Sequence, residues 1–125
     1  MHKLTWVLQI VLGIYFVAIG VLHFVVPEGM PAQLAWMYDL PTWAHYVSGL
    51  AEILGGLGLI LPGLVKIAPR LTPLAATGLT IVMVLAAGWH LMRAEWLNIV
   101  TTLVVAVLLA VIAEVRWRRH PLPTG

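Results

Sequence analysis

The chain contains 125 residues, of which 62% are hydrophobic and 10% charged, and its mean hydropathy is +1.00. Soluble domains are about 45–50% apolar and about a quarter charged, and a small soluble fold needs more polar side chains to cover its surface. This composition excludes a soluble enzyme, a disordered segment and a nucleic-acid-binding module, and the net charge of +2 does not indicate DNA or RNA. Cysteine is absent, which excludes structural disulfides and a thiol relay within this chain.

Four apolar stretches, each close to the roughly 20 residues that cross a bilayer, predict four membrane-spanning helices. They cover about residues 4–26, 42–61, 74–92 and 96–115. The first stretch is longer than the apolar part of a signal peptide, so we expect it to be retained as a helix. Pro62-Gly63 is expected to end the second span. The sequence therefore predicts one all-α domain, residues 1–125, folded as an integral membrane antiparallel four-helix bundle.

The connection between the first two spans, residues 27–41, is the longest. Its segment Ala32–Tyr38 mixes apolar and polar residues. Two interpretations remain open for it: a short interfacial helix that covers the outer mouth of the bundle, or an irregular hydrophobic loop.

Basic residues orient the predicted bundle. Six of the seven fall on one side, namely Lys3, Lys66, Arg70, Arg116, Arg118 and Arg119, while Arg93 lies on the other side with Glu28, Asp39 and Glu95. The positive-inside rule then places both termini in the cytoplasm. The tryptophans fit two interfacial belts, with Trp6 and Trp117 at the inner boundary and Trp36, Trp43, Trp89 and Trp96 at the outer one.

Small and polar residues share one face on each of the first two spans. The first span carries Gln9, Gly13, Phe16, Gly20 and His23 at helical spacing, and the second carries His45, Ser48, Gly49, Glu52 and Gly56. Glycines let neighbouring backbones approach closely. We therefore predict helix packing through Gly13, Gly20, Gly49, Gly55 and Gly56.

Three histidines and an asparagine are predicted to share one layer near the outer boundary: His23, His45, His90 and Asn98. Glu52 lies roughly two turns below His45, where a carboxylate must be uncharged or hydrogen-bonded to a histidine. These five residues are either interhelical hydrogen-bonding groups, or an outward-opening pocket that holds a polar headgroup or relays a proton. No metal site is predicted, because the ligands would lie on separate helices without close spacing.

Two segments resemble a known family. The run from Gly20 to Phe24 before Pro27, and the run from Ser48 to Glu52 that continues into Gly55–Leu59, are similar to the DoxX and DoxX-like family of small four-span membrane proteins. This resemblance implies that His23 and Glu52 are the family's recurring His and Glu. It also implies a bacterial inner-membrane protein, because members include subunits of quinone-linked thiosulfate oxidation and membrane partners of thiol and superoxide detoxification enzymes. Animal relatives are receptor-assembly chaperones.

Three functional hypotheses follow. The first is an accessory or scaffold subunit of a redox or detoxification system, without catalytic residues of its own, for which we expect a tightly packed bundle with no deep cavity. The second is a quinone- or lipid-headgroup-binding redox subunit, for which we expect a cleft lined by the His and Glu side chains. The third, a small transporter, is disfavoured because the inner half has little polar beyond Gln9 and the threonines. No cofactor is predicted firmly, and the glycine faces are compatible with a homodimer.

Overall fold

The computed structural model describes residues 2–123 as four long helices joined by short connections. These are α1 (His2–Val25), α2 (Thr42–Val65), α3 (Leu71–Met92) and α4 (Trp96–Glu114), with a 3₁₀ helix at Ala32–Asp39 and a π-helical turn at Val115–Arg119. All four, with the π-helical turn continuing the last, are long and apolar enough to cross a membrane. The predicted all-α bundle of four long apolar helices is therefore confirmed.

The predicted end of the second span at Pro62-Gly63 is wrong, because α2 runs through Pro62 to Val65. Proline cannot donate a hydrogen bond to the carbonyl four residues earlier, which is that of Gly58. The hydroxyl of Thr72 on α3 donates to this carbonyl instead, at 2.8 Å. Because a neighbouring helix satisfies the acceptor, the proline no longer ends the helix. The turn comes later, where Lys66 takes a left-handed conformation with φ of +58°.

Two pairs of glycines bring α1 and α2 into backbone contact. A Cβ atom added at Gly56 would lie 2.6 Å from the carbonyl oxygen of Gly13, and one added at Gly13 would lie 2.9 Å from that of Gly56. The pair Gly20 and Gly49 repeats this reciprocal approach at 2.8 and 2.9 Å. Gly55 instead faces the side chain of Leu79 on α3. All five glycines singled out in the sequence thus lie at helix contacts.

Both ends of the described chain lie at the same end of the bundle, which we call the terminal end. Arg116, just beyond α4, is 2% exposed, and its Nε donates to the Gln9 side chain of α1 at 2.6 Å. Its NH1 group also donates to His2 Nδ1 and to the His120 carbonyl, each at 2.9 Å. The opposite end, with the 3₁₀ helix and the α3–α4 turn, is the loop end.

Replacing Gln9 by leucine should destabilise the bundle by about 1–3 kcal/mol, because the buried Arg116 guanidinium would lose an acceptor and gain none. Gln9 is fully buried and also donates to the Leu59 carbonyl at 2.8 Å. The free energy of unfolding in mixed detergent micelles measures the effect. Thr101→Val is the control, because Thr101 is exposed and bonds only its own helix. Equal stability of the two variants would contradict the structural role of Gln9.

Candidate functional site

A cavity of about 290 Å³ lies between α2 and α3 near the loop end, beneath the 3₁₀ helix. Its lining is mostly apolar, with four polar side chains and three tryptophans: His23, Ser48, Glu52, His90, Trp36, Trp43 and Trp89. The lining also includes Val47 and Leu85, whose side chains are 62% and 69% exposed on the outside of the bundle. The cavity therefore opens sideways between α2 and α3, toward the region that lipid would occupy.

The connection between α1 and α2 forms the roof of this cavity. It adopts the short-helix alternative considered from the sequence, as a 3₁₀ helix at Ala32–Asp39. Tyr38 closes this connection on itself, because its hydroxyl donates to the Pro27 carbonyl at 2.8 Å and accepts from the Met30 amide at 3.0 Å. Met37 is fully buried, and Trp36 lies against the rings of His23 and His90.

Three buried side chains form a connected chain from the roof to the cavity. His45 Nε2 lies 2.8 Å from the Met37 carbonyl oxygen, and its Nδ1 lies 2.9 Å from Nδ1 of His23. The other nitrogen of His23, Nε2, lies 3.2 Å from Glu52 Oε2. All three residues are less than 9% exposed. We call His45, His23 and Glu52 the His–His–Glu chain.

Hydrogen-bonding rules set the proton content of the His–His–Glu chain. A carbonyl can only accept, so His45 Nε2 carries a proton. The 2.9 Å contact between the two Nδ1 atoms needs one proton, and so does the 3.2 Å approach of His23 Nε2 to the Glu52 oxygen, because two unprotonated acceptors would repel each other. Three protons on two imidazoles and a carboxyl group give a net charge of zero. Removing one leaves a buried negative charge without a counter-charge, which is costly in an apolar site.

Glu52 Oε2 has no donor in good hydrogen-bonding geometry among the described residues, although it is buried. Its approach to His23 is an ion-pair distance rather than a well-formed hydrogen bond. Buried polar atoms in native proteins nearly always have a partner. An orphaned oxygen on a residue that lines the cavity is the feature that most clearly indicates a ligand.

His90 is held by a second polar cluster at the loop end. Its Nδ1 donates to Glu95 Oε1 at 2.9 Å, since a carboxylate only accepts, and Arg93 donates to the same oxygen at 3.1 Å and to Asp39 at 2.5 Å. The Arg93 guanidinium also lies 4.6 Å from the ring centre of Trp89. With Nδ1 engaged, the neutral ring of His90 presents Nε2 as an acceptor.

The pKa values of Glu95 and Arg93 in the α3–α4 turn shift in the directions expected of an ion pair. Burial alone would raise the pKa of Glu95, but the hydrogen bonds from His90 and Arg93 outweigh it and hold this pKa below its usual range. The hydrogen bonds to Glu95 and Asp39 raise the pKa of Arg93. At neutral pH the turn therefore keeps its charges and ties the 3₁₀ helix to α3.

The structure brings together four of the five candidate residues. His23, Glu52 and His90 line the cavity, and His45 lies behind His23. Asn98 is not part of this cluster: it lies half-buried at the start of α4, and does not line the cavity. The reason is that the cavity lies between α2 and α3, whereas α4 packs chiefly against α3. Among residues 2–123, no group of three His, Asp or Glu side chains is arranged to hold a metal ion.

Sequence reasoning missed the role of three tryptophans in this site. Trp36, Trp43 and Trp89 fit an interfacial belt, which needs only the right depth in the bilayer. In the structure they line the same cavity as Glu52. Their clustering depends on how the 3₁₀ helix folds over α2 and α3, and helical spacing along single spans carries no signal for it.

The fold and site define a small integral membrane protein of four helices with a buried acid beneath its loop end. The sequence model of the DoxX-like family matches residues 7–112, and the chain belongs to this family. No curated protein and no solved structure matches it.

Proposed function

We propose that this protein binds a small amphiphilic molecule within the membrane, with its polar head against Glu52 and His90. The observation that carries the proposal is that Glu52, which lines a cavity of about 290 Å³, has a buried oxygen without a well-placed donor. A ligand head that donates a hydrogen bond or carries positive charge would satisfy this oxygen. Ser48 on α2 and His90 on α3 supply further polar groups in the lining of this cavity.

A second cavity supports the amphiphilic character of the ligand. It has a volume of about 330 Å³ and continues along α2 and α3 toward the terminal end, sharing Ala51 and Val82 with the first. Its lining is entirely apolar and rich in small residues, including Gly55, Gly58 and Gly78. An alkyl or isoprenoid tail fits such a groove, because it needs no hydrogen-bonding partner and packs closely against glycine.

The cavity favours the binding hypothesis over the accessory-subunit hypothesis, for which we expected no deep cavity. A quinone or a lipid headgroup remains the candidate ligand from the sequence, and redox partners and a homodimer remain predictions. By the positive-inside rule we also propose that the terminal end faces the cytoplasm, because the basic residues at that end outnumber those at the loop end six to one. The head site would then lie in the outer half of the bacterial inner membrane.

Filling the cavity should abolish ligand retention. Ala86 lines the cavity, whereas Ala110 is exposed on α4 and does not line it. Ala86→Phe therefore adds a phenyl ring inside the site, and Ala110→Phe adds the same ring outside it as the control. After incubation with a membrane lipid extract, native mass spectrometry should find one bound small molecule on the wild type and on Ala110→Phe, and at least tenfold less on Ala86→Phe. Equal retention by both variants, or no bound molecule on the wild type, would contradict the proposal.

A further inference from the structure

We infer that the head of the ligand is a cation, such as an alkylammonium group, and that its binding releases one proton from the His–His–Glu chain. This inference rests on the proposed function and names the class of ligand for the same site. Three observations carry it: the charge balance around the cavity, the aromatic lining and the proton content of the His–His–Glu chain. Each points to a positive head rather than a neutral or negative one.

The charge around the cavity favours a cation. Its lining contains one carboxyl group and no lysine or arginine. Arg93, at the rim, already donates to Asp39 and Glu95, so its positive charge is more than balanced. An anionic head would face two carboxylates and Glu52, whereas a cationic head would meet a net negative field.

The aromatic lining suits an ammonium group. Trp36, Trp43 and Trp89 surround the cavity, and indole faces attract cations through the ring quadrupole. Trp89 already holds one in this way, because the Arg93 guanidinium lies 4.6 Å from its ring centre. Trp36 already packs against the rings of His23, Trp89 and His90, so Trp43 is the indole left for a ligand, with Glu52 as the counter-charge.

The proton balance follows from the geometry of the His–His–Glu chain. Without ligand, three shared protons keep it neutral. When a cation arrives beside Glu52, the O–H or N–H bond of the proton between Glu52 and His23 breaks, this proton passes to the buffer, and the cation replaces His23 as the partner of the Glu52 carboxylate. One positive charge enters and one leaves, so the buried site stays neutral. No electron is transferred.

The titratable groups around Glu52 come from three helices. They are His23 and Tyr15 on α1, His45 on α2 and His90 on α3. His90 is bound to Glu95, and His45 is anchored on the Met37 carbonyl. The pair formed by Glu52 and His23 is therefore the group that can release a proton directly beside the ligand.

Two probes with the same tail distinguish the head chemistry: decyltrimethylammonium and a benzoquinone with a decyl side chain. Each is titrated calorimetrically into the protein in nanodiscs of zwitterionic lipid, with empty nanodiscs as background. Repeating the titration in buffers of different ionisation enthalpy measures the protons released. We expect one proton per bound ammonium, and affinity that rises by up to about tenfold per pH unit while the His–His–Glu chain holds three protons. We expect no such rise for the benzoquinone.

Variants test the same assignment. Glu52→Gln should release no proton and bind the ammonium probe at least tenfold more weakly. Because Glu52 is buried, Trp43 provides a second test: it is 69% exposed, so replacing it should leave the fold intact. Trp43→Leu should weaken ammonium binding about two- to fivefold, and Trp43→Phe less. Ammonium affinity equal in wild type and Trp43→Leu would overturn the cation assignment.

The outcomes separate this inference from the proposed function. If the benzoquinone binds independently of pH and is excluded by Ala86→Phe, while the ammonium probe does not bind, the cation assignment is wrong and the binding site stands. If neither these probes nor the molecules of the lipid extract distinguish Ala86→Phe from Ala110→Phe, both proposals fail.

Discussion

Replacing Gly56 by alanine should destabilise the bundle by about 1–3 kcal/mol, the cost of forcing atoms into a packed contact. The new Cβ would lie 2.6 Å from the carbonyl oxygen of Gly13 and 2.9 Å from Val17 Cγ2. Backbone cannot move aside as a flexible side chain can, so α1 and α2 would have to separate along their contact. The free energy of unfolding in mixed micelles measures the change.

Gly78→Ala is the matched control for this prediction. Gly78 lies inside α3 and lines the apolar groove, where an added Cβ meets nothing within 4 Å. Alanine favours the helix over glycine by about 0.5–1 kcal/mol, so this variant should be unchanged or slightly more stable. If Gly56→Ala and Gly78→Ala were equally stable, the close contact of α1 and α2 would be disproved.

Replacing Glu52 by alanine should destabilise the bundle far more than replacing it by glutamine. Glu52→Ala leaves His23 Nε2 without its partner inside a buried site, which costs about 1–3 kcal/mol. Glu52→Gln keeps a side chain that can either donate to or accept from that nitrogen, so the His–His–Glu chain can remain connected with both imidazoles neutral.

Unfolding of the two Glu52 variants in mixed micelles, alongside the wild type, decides this point. The expected order of stability places Glu52→Ala lowest by at least 1 kcal/mol, in keeping with the cost of an unsatisfied buried group. Small and equal changes in both variants would show that His23 does not depend on Glu52, and the proton content argued for the His–His–Glu chain would lose its basis.

The helical period and the amino-acid composition were sufficient to predict the four helices and the residues of the glycine contacts. Four apolar stretches of near-membrane length leave little choice of fold, and glycines spaced on one face indicate where another backbone can approach. Gly13 and Gly56 meet as their placement on the first two spans suggested.

The features that sequence reasoning missed all depend on partners from another helix. Pro62 is tolerated only because Thr72 of α3 bonds the carbonyl that it frees. Arg116 counts in the sequence only as one of the basic residues that orient the bundle, yet it is buried and donates to Gln9 of α1. Asn98 has the right depth for the histidine layer but lies on a helix that does not border the cavity. Depth along one span cannot reveal which neighbour a side chain meets.

The uneven packing of the bundle has a consequence for binding. α1 is joined to α2 by backbone contacts at two levels, and α4 packs chiefly on α3, whereas the two cavities lie between α2 and α3. The molecule is thus two closely packed helical hairpins, and both cavities lie at the boundary between them. At the loop end this boundary is bridged by ion pairs of Arg93, which weaken as ionic strength rises. A molecule bound between α2 and α3 would therefore contact both hairpins at once.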